Sequence, residues 1–128
     1  MNHLVMEKTA STPAVDFDPD TCVLRIAGES FPENAAKFYA PILAWIGEFT
    51  ERPGCPAIVL ECDILYFNSS TSKILMNLFD TLESHVLNGK DITVRWFCRE
   101  DNETAVECGE EFREDLDSLP FEIVVRKD

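Results

Sequence analysis

The chain has 128 residues, of which 24 are acidic and 11 basic, giving a formal net charge of −13. That length suits one domain, and a hydrophobic fraction of 45% with 10% aromatics is too apolar for a disordered acidic chain. A chain this acidic repels phosphate backbones and anionic lipid surfaces, so no nucleic acid and no membrane is expected as partner, and protein surfaces remain.

No stretch approaches the roughly 20 apolar residues of a membrane span. Met1 to Ala10 carries His3, Glu7 and Lys8 and lacks the apolar core of a signal peptide. The expected compartment is cytoplasmic, with residues 1–10 a loose tail and residues 11–128 a single domain. The five cysteines, Cys22, Cys55, Cys62, Cys98 and Cys108, contain no CxxC pair and are expected to be reduced thiols, mostly buried.

Val15 to Phe17 and Cys22 to Ala27 read as short strands joined by the turn Asp18-Pro19-Asp20-Thr21, an N-terminal hairpin. Ser30-Phe31-Pro32-Glu33-Asn34 opens a helix running to about Thr50, with Phe38, Ile42, Trp45, Ile46 and Phe49 on one apolar face. Pro41 removes a hydrogen bond inside it and is expected to kink it. After the break Glu51-Arg52-Pro53-Gly54, Ala57 to Phe67 is the strongest strand and is expected at the centre of the sheet. A second helix, from about Ser70 to Leu87, buries Ile74, Leu75, Leu78, Phe79, Leu82 and Val86. Asn88-Gly89 closes it.

Ile92 to Cys98 is a further strand. Arg99 to Asp117 carries nine of the 24 acids, yet Ala105, Val106, Cys108, Phe112 and Leu116 give it a helical stripe. Phe121 to Val125 is the last strand. The order ββαβαβαβ predicts an α/β fold, a mixed sheet with helices packed on it through right-handed crossovers.

Nucleotide-binding glycine motifs, HExxH and GxSxG are all missing. His3 and His85 have no neighbour that suggests a triad, and Cys62 and Cys98 are too few ligands for zinc. The acids of the last helical segment read as a solvated face. What stands out is Asn68-Ser69-Ser70-Thr71-Ser72-Lys73, four hydroxyls where the strongest strand meets a helix. One hydroxyl would serve as an N-cap. The functional alternative is a phosphorylation site, since a phosphate at a helix N-terminus meets the positive end of the dipole.

The blocks Ser11-Thr12-Pro13-Ala14-Val15, Gly28-Glu29-Ser30-Phe31-Pro32-Glu33-Asn34-Ala35, Leu65-Tyr66-Phe67-Asn68-Ser69-Ser70-Thr71-Ser72-Lys73, Val94-Arg95-Trp96-Phe97 and Leu119-Pro120-Phe121-Glu122-Ile123 together resemble the SiaC family of bacterial regulatory phosphoproteins. The resemblance implies a STAS-like fold and a partner-switching role without enzymatic activity or cofactor. In such a role a Ser/Thr kinase phosphorylates the hydroxyl residue after the Asn of the Tyr-Phe-Asn block, and a PP2C-like phosphatase removes the phosphate. The unphosphorylated form binds and activates a diguanylate cyclase, raising cyclic di-GMP and promoting aggregation or biofilm. Carried onto this sequence, the phosphosite is Ser69, where Thr is usual in the family, with Ser70 and Thr71 as the alternatives. Tyr66, Asn68, Ser69, Ser70 and Lys73 are the expected partner-binding residues. The competing reading within signalling is an anti-sigma-factor antagonist of the general STAS type. A small enzyme or an oligomeric structural protein would be readings of another class.

Overall fold

A computed structural model describes residues 1–52 and 54–127. Pro53, part of the expected break after the first helix, lies outside the described residues, as does Asp128. The elements are β1 (Leu4–Met6), β2 (Ala14–Asp18), β3 (Val23–Ser30), α1 (Ala35–Glu51), β4 (Ile58–Phe67), α2 (Ser69–Leu87), β5 (Ile92–Arg99), α3 (Glu103–Glu114) and β6 (Phe121–Arg126). The six strands form one mixed sheet in sequence order. β1, β2 and β3 pair antiparallel, and β3 to β6 pair parallel. The expected α/β architecture is therefore found, with one strand ahead of the ββαβαβαβ order.

That extra strand corrects the expectation of a loose tail over residues 1–10. Leu4 pairs with Phe17 and Met6 with Val15. The Trp45 indole of α1 donates to the Asn2 carbonyl at 2.8 Å, clamping the segment from the helix side. Three residues are too few to show an alternation, so the strand leaves no periodic signal.

Each parallel connection moves one strand along in the same direction. With right-handed crossovers this places α1, α2 and α3 on the same face of the sheet. The core lies between them and the sheet. Ile58, Leu60, Cys62 and Ile64 of β4 and Ile92, Val94, Trp96 and Cys98 of β5 are its buried alternate residues. Tyr39, Ile42, Ile46 and Phe49 of α1, Leu75, Leu78, Phe79 and Leu82 of α2, and Phe112 of α3 close it. Trp96 is fully buried, and its indole donates to the Ala105 carbonyl at 2.9 Å. A Cβ on Gly109 would lie 2.6 Å from the Trp96 ring, so α3 docks closely here because residue 109 has no side chain.

None of the described helices lies on the other face. Its central strands present Arg25, Glu61, Asp63, Arg95 and Phe97, joined by Glu122 and Arg126 of β6. Arg25 donates to Glu61 at 3.3 Å and to Asp63 at 2.9 Å. Arg126 donates to Asp63 at 2.6 Å, and Arg95 to Glu122 at 3.2 Å. The guanidinium carbons of Arg25, Arg95 and Arg126 all lie within 5.6 Å of the Phe97 ring centroid.

α1 runs from Ala35 to Glu51 with Pro41 inside it, on its exposed side. One local expectation is corrected. Cys22 and Cys55 are not free thiols but form a disulfide; Cys62, Cys98 and Cys108 are free. The β2–β3 turn and the α1–β4 connection meet at one end of the sheet, bringing the two Cα atoms to 6.1 Å across a separation of 33 residues. That distance is within the range a disulfide spans.

Candidate functional site

The site is the opposite end of the sheet, where β3 and β4 deliver the chain to α1 and α2. The cap of α2 is Asn68 and not a hydroxyl residue. Its backbone is extended, and its side-chain oxygen accepts from the Thr71 amide at 3.0 Å. The Asn68 amide in turn donates to the Ser30 carbonyl at 3.1 Å. Asn34 does the same at α1, accepting from the Lys37 amide at 3.1 Å. With the caps supplied by asparagines, the four hydroxyls of residues 69–72 are released from that duty.

They are used differently from one another. Thr71 faces inward and is fully buried, as are Ser30 and Tyr39. Ser30 Oγ lies 2.7 Å from the Tyr39 hydroxyl and 2.9 Å from Thr71 Oγ1, and Thr71 Oγ1 donates to the Ser30 carbonyl at 3.1 Å. This chain of hydroxyls joins β3, α1 and α2 beneath the first turn of α2. Burial pushes the Tyr39 phenol up to about 12, so it stays a neutral donor. Ser69 and Ser70, the first two residues of α2, are exposed.

Neither α1 nor α2 has an acidic residue in its first turn, whereas α3 has Glu103 there. The positive ends of these two helix dipoles are thus not offset by their own first-turn carboxylates. A shallow groove runs between the two N-termini, with Lys37, Phe38 and Pro41 on the α1 side and Ser70, Lys73 and Ile74 on the α2 side. Tyr66, at the end of β4, is 54% exposed and meets the exposed Phe31 ring edge-on at 5.7 Å. Leu65 beside it is exposed as well, and its carbonyl accepts from the Asn102 side chain at 2.9 Å.

Of the expected residues, Ser70 and Lys73 line the groove, Ser69 stands at the helix start and Tyr66 belongs to the neighbouring aromatic pair. Asn68 is half-buried and occupied as a cap. Thr71 is withdrawn from solvent, which removes it from any surface. Ser30, Tyr39 and Phe31 were not singled out from the sequence. Ser30 and Phe31 sit in a block that the resemblance quoted, but nothing local marks Ser30 and Tyr39 as a buried pair.

Among the described residues, no group of three or more His, Cys, Asp or Glu is placed to hold a metal ion. No described helix is long and apolar enough to cross a membrane. Cys62 is fully buried in the sheet, and burial pushes its thiol up to about 12. The site therefore presents exposed hydroxyls, two helix N-termini and exposed aromatics at one end of an α/β domain whose described helices lie on one face of the sheet.

Comparison with known proteins places it more narrowly. The chain belongs to the SiaC family of regulatory phosphoproteins, whose family model matches residues 6–126. It is similar to a protein of Pseudomonas aeruginosa strain UCBPP-PA14, with 35% identity over 123 residues, covering 96% of each chain. The structure is similar to SiaC of Pseudomonas aeruginosa, with a TM-score of 0.88 at 32% identity, covering 98% of this chain and 99% of that one. It is equally similar, at 34% identity and a TM-score of 0.88, to a chain of the crystal structure of the diguanylate cyclase SiaD in complex with its activator SiaC from the same species, covering 95% of this chain and 98% of that one.

Proposed function

We propose that this protein is a phosphorylation-controlled partner switch in the cytoplasm. Unphosphorylated, it binds and activates a diguanylate cyclase and so raises cyclic di-GMP. A Ser/Thr kinase places a phosphate on Ser69, and a PP2C-like phosphatase removes it. The observation that carries this reading is the match, along nearly the whole chain, to a complex of an activator with its diguanylate cyclase.

Three features support Ser69 as the switch. It is exposed at the first position of α2, where the helix dipole accommodates a phosphate dianion without unfolding the domain. Its neighbour Thr71 is buried in the hydroxyl chain. Lys73, one turn on, is near enough in sequence to soften the added charge. In the complex the same phosphate would lose its water against a partner surface. A desolvated dianion without a dedicated cation costs several kcal/mol, enough to dissociate the pair. On a chain already at −13, two further charges act locally, through the surface they occupy.

The test is cyclic di-GMP synthesis by the partner diguanylate cyclase in the presence of wild-type, Ser69→Ala and Ser69→Asp protein. Ser69→Ala is expected to activate as wild type does, and Ser69→Asp to need at least about tenfold more protein, a difference of about 1.4 kcal/mol. Equal activation by both variants overturns the switch. Peptide mapping of protein purified from its own host with phosphatase inhibitors should find the phosphate on Ser69.

A further inference from the structure

The disulfide lies far from the proposed switch, at the other end of β4, whose ten residues span roughly 30 Å. Cys22 sits where the β2–β3 turn re-enters the sheet. Its amide donates to the Asp18 carbonyl at 3.1 Å, and its carbonyl accepts from the Val59 amide at 3.0 Å. Its φ is +62°, the only positive value at a non-glycine residue among those described. Glycine or asparagine suits that conformation, and a cysteine there is unusual. Cys55, half-buried, lies in the connection that leads from α1 to β4.

α1 is thus fastened near both ends by different chemistry. Near its N-terminus, Tyr39 joins the buried hydroxyl chain to Ser30 of β3. Just beyond its C-terminus, the sulfur bridge ties the connection to the β2–β3 turn. An open cavity lies against the bridge, lined by Met1, Pro19, Asp20, Phe49, Arg52 and Gly54 together with both cysteines. A small thiol can therefore approach it. The other cysteines offer no such arrangement: Cys62 and Cys98 are buried inside the sheet, and Cys108 lies alone on α3.

We propose that Cys22 and Cys55 form a reversible thiol–disulfide exchange site, with low-molecular-weight thiols as its partners, and that its redox state sets how firmly the C-terminal end of α1 is held on the sheet. Formation is balanced by a disulfide such as oxidised glutathione. The Cys55 thiolate attacks one sulfur and expels one glutathione thiolate. The Cys22 thiolate then attacks the Cys55 sulfur of the mixed disulfide and expels the second. The two protons leave with the two glutathiones, and reduction runs the same steps backwards.

The experiment uses the full chain equilibrated with either oxidised glutathione or excess dithiothreitol. Thiol titration under denaturing conditions should count three free thiols in the first buffer and all five in the second, with the missing pair mapped to Cys22 and Cys55. Reduction should lower the melting temperature by about 10 °C, as expected for opening a loop of this length in a chain of this size. Amide hydrogen exchange should speed up at least about tenfold over Trp45–Thr50, and by more there than in α3, which feels only the loss of global stability. Cys55→Ser should show the reduced behaviour in both buffers, and it leaves the Cys22 turn residue in place. Five thiols in both buffers, or a bridge to another cysteine, overturns the exchange site. A bridge that forms without moving either the melting temperature or the exchange of α1 overturns its role in holding the helix.

Discussion

The two faces of the sheet are built from alternate residues of the same strands, yet they are closed by different means. On the helix side, Leu60, Cys62, Val94 and Trp96 are removed from water by three helices. On the other side, Glu61 and Arg95 lie between those residues in sequence, Arg25 and Asp63 stand on neighbouring alternate positions of β3 and β4, and no described helix covers them. There a lattice of ion pairs and one aromatic ring take the place of a helix layer. Three guanidiniums gather on Phe97, and three carboxylates, those of Glu61, Asp63 and Glu122, hold them there. A net charge of −13 thus hides a face whose charges are locally matched. Burial of a large apolar side chain contributes about 1.5–3 kcal/mol, while ion pairs this exposed contribute mostly under about 1 kcal/mol each. The two faces should therefore respond very differently to substitution and to salt.

The sharpest test is on the covered face. Trp96→Ala removes the largest buried side chain and its hydrogen bond to Ala105. It is expected to cost about 3–5 kcal/mol in denaturant unfolding, with the loss unaffected by salt.

On the open face the comparable substitution is Asp63→Ala. Asp63 is the least exposed acid of the lattice, at 12%, and serves two arginines. Because both arginines are more than a third exposed, solvent screening limits the loss to about 1–2 kcal/mol. It should shrink as salt is raised. A larger loss than that of Trp96→Ala would break the contrast between the faces.

Thr71→Val tests the polar exception within the covered face. It keeps the shape but deprives Ser30 of one partner, for an expected loss of about 1 kcal/mol in thermal or denaturant unfolding. Thr71→Ser should restore most of it.

The smallest effect is expected at Glu83 of α2. Its carboxylate accepts from the Ser118 and Leu119 amides at 2.7 and 3.1 Å, and these bonds hold its pKa below the ordinary value of 4.5. The stabilisation is therefore complete above about pH 4.5 and is lost as the pH falls through the lowered folded value. Glu83→Gln should be slightly less stable than wild type at pH 7, and the two should converge in acid unfolding. A difference that grew in acid would contradict the assignment.

The fold was largely legible because β4 and β5 alternate cleanly and the helices carry apolar stripes, so local pattern and tertiary burial agree. The readings that failed depended on pairs distant in sequence. Ser30 and Thr71 are 41 residues apart, and Cys22 and Cys55 are 33 apart. Two polar residues satisfying each other, or two cysteines meeting, leave no periodicity. The hydroxyl run was conspicuous, but its division of labour was not. Which hydroxyl turns inward depends on the helix starting at Ser69, one residue before the expected start, under an asparagine cap. β1 was missed for its shortness alone.

The strand order has a consequence for how the molecule is made. Every strand pairs with the one synthesised just before it, so none has to insert between two already in place. The sheet can grow outward from the β1 edge as the chain leaves the ribosome, each crossover helix settling as its next strand arrives. Ser30, Tyr39 and Thr71 are all made before β5, so the hydroxyl chain under Ser69 can close while the last quarter of the protein is still being synthesised.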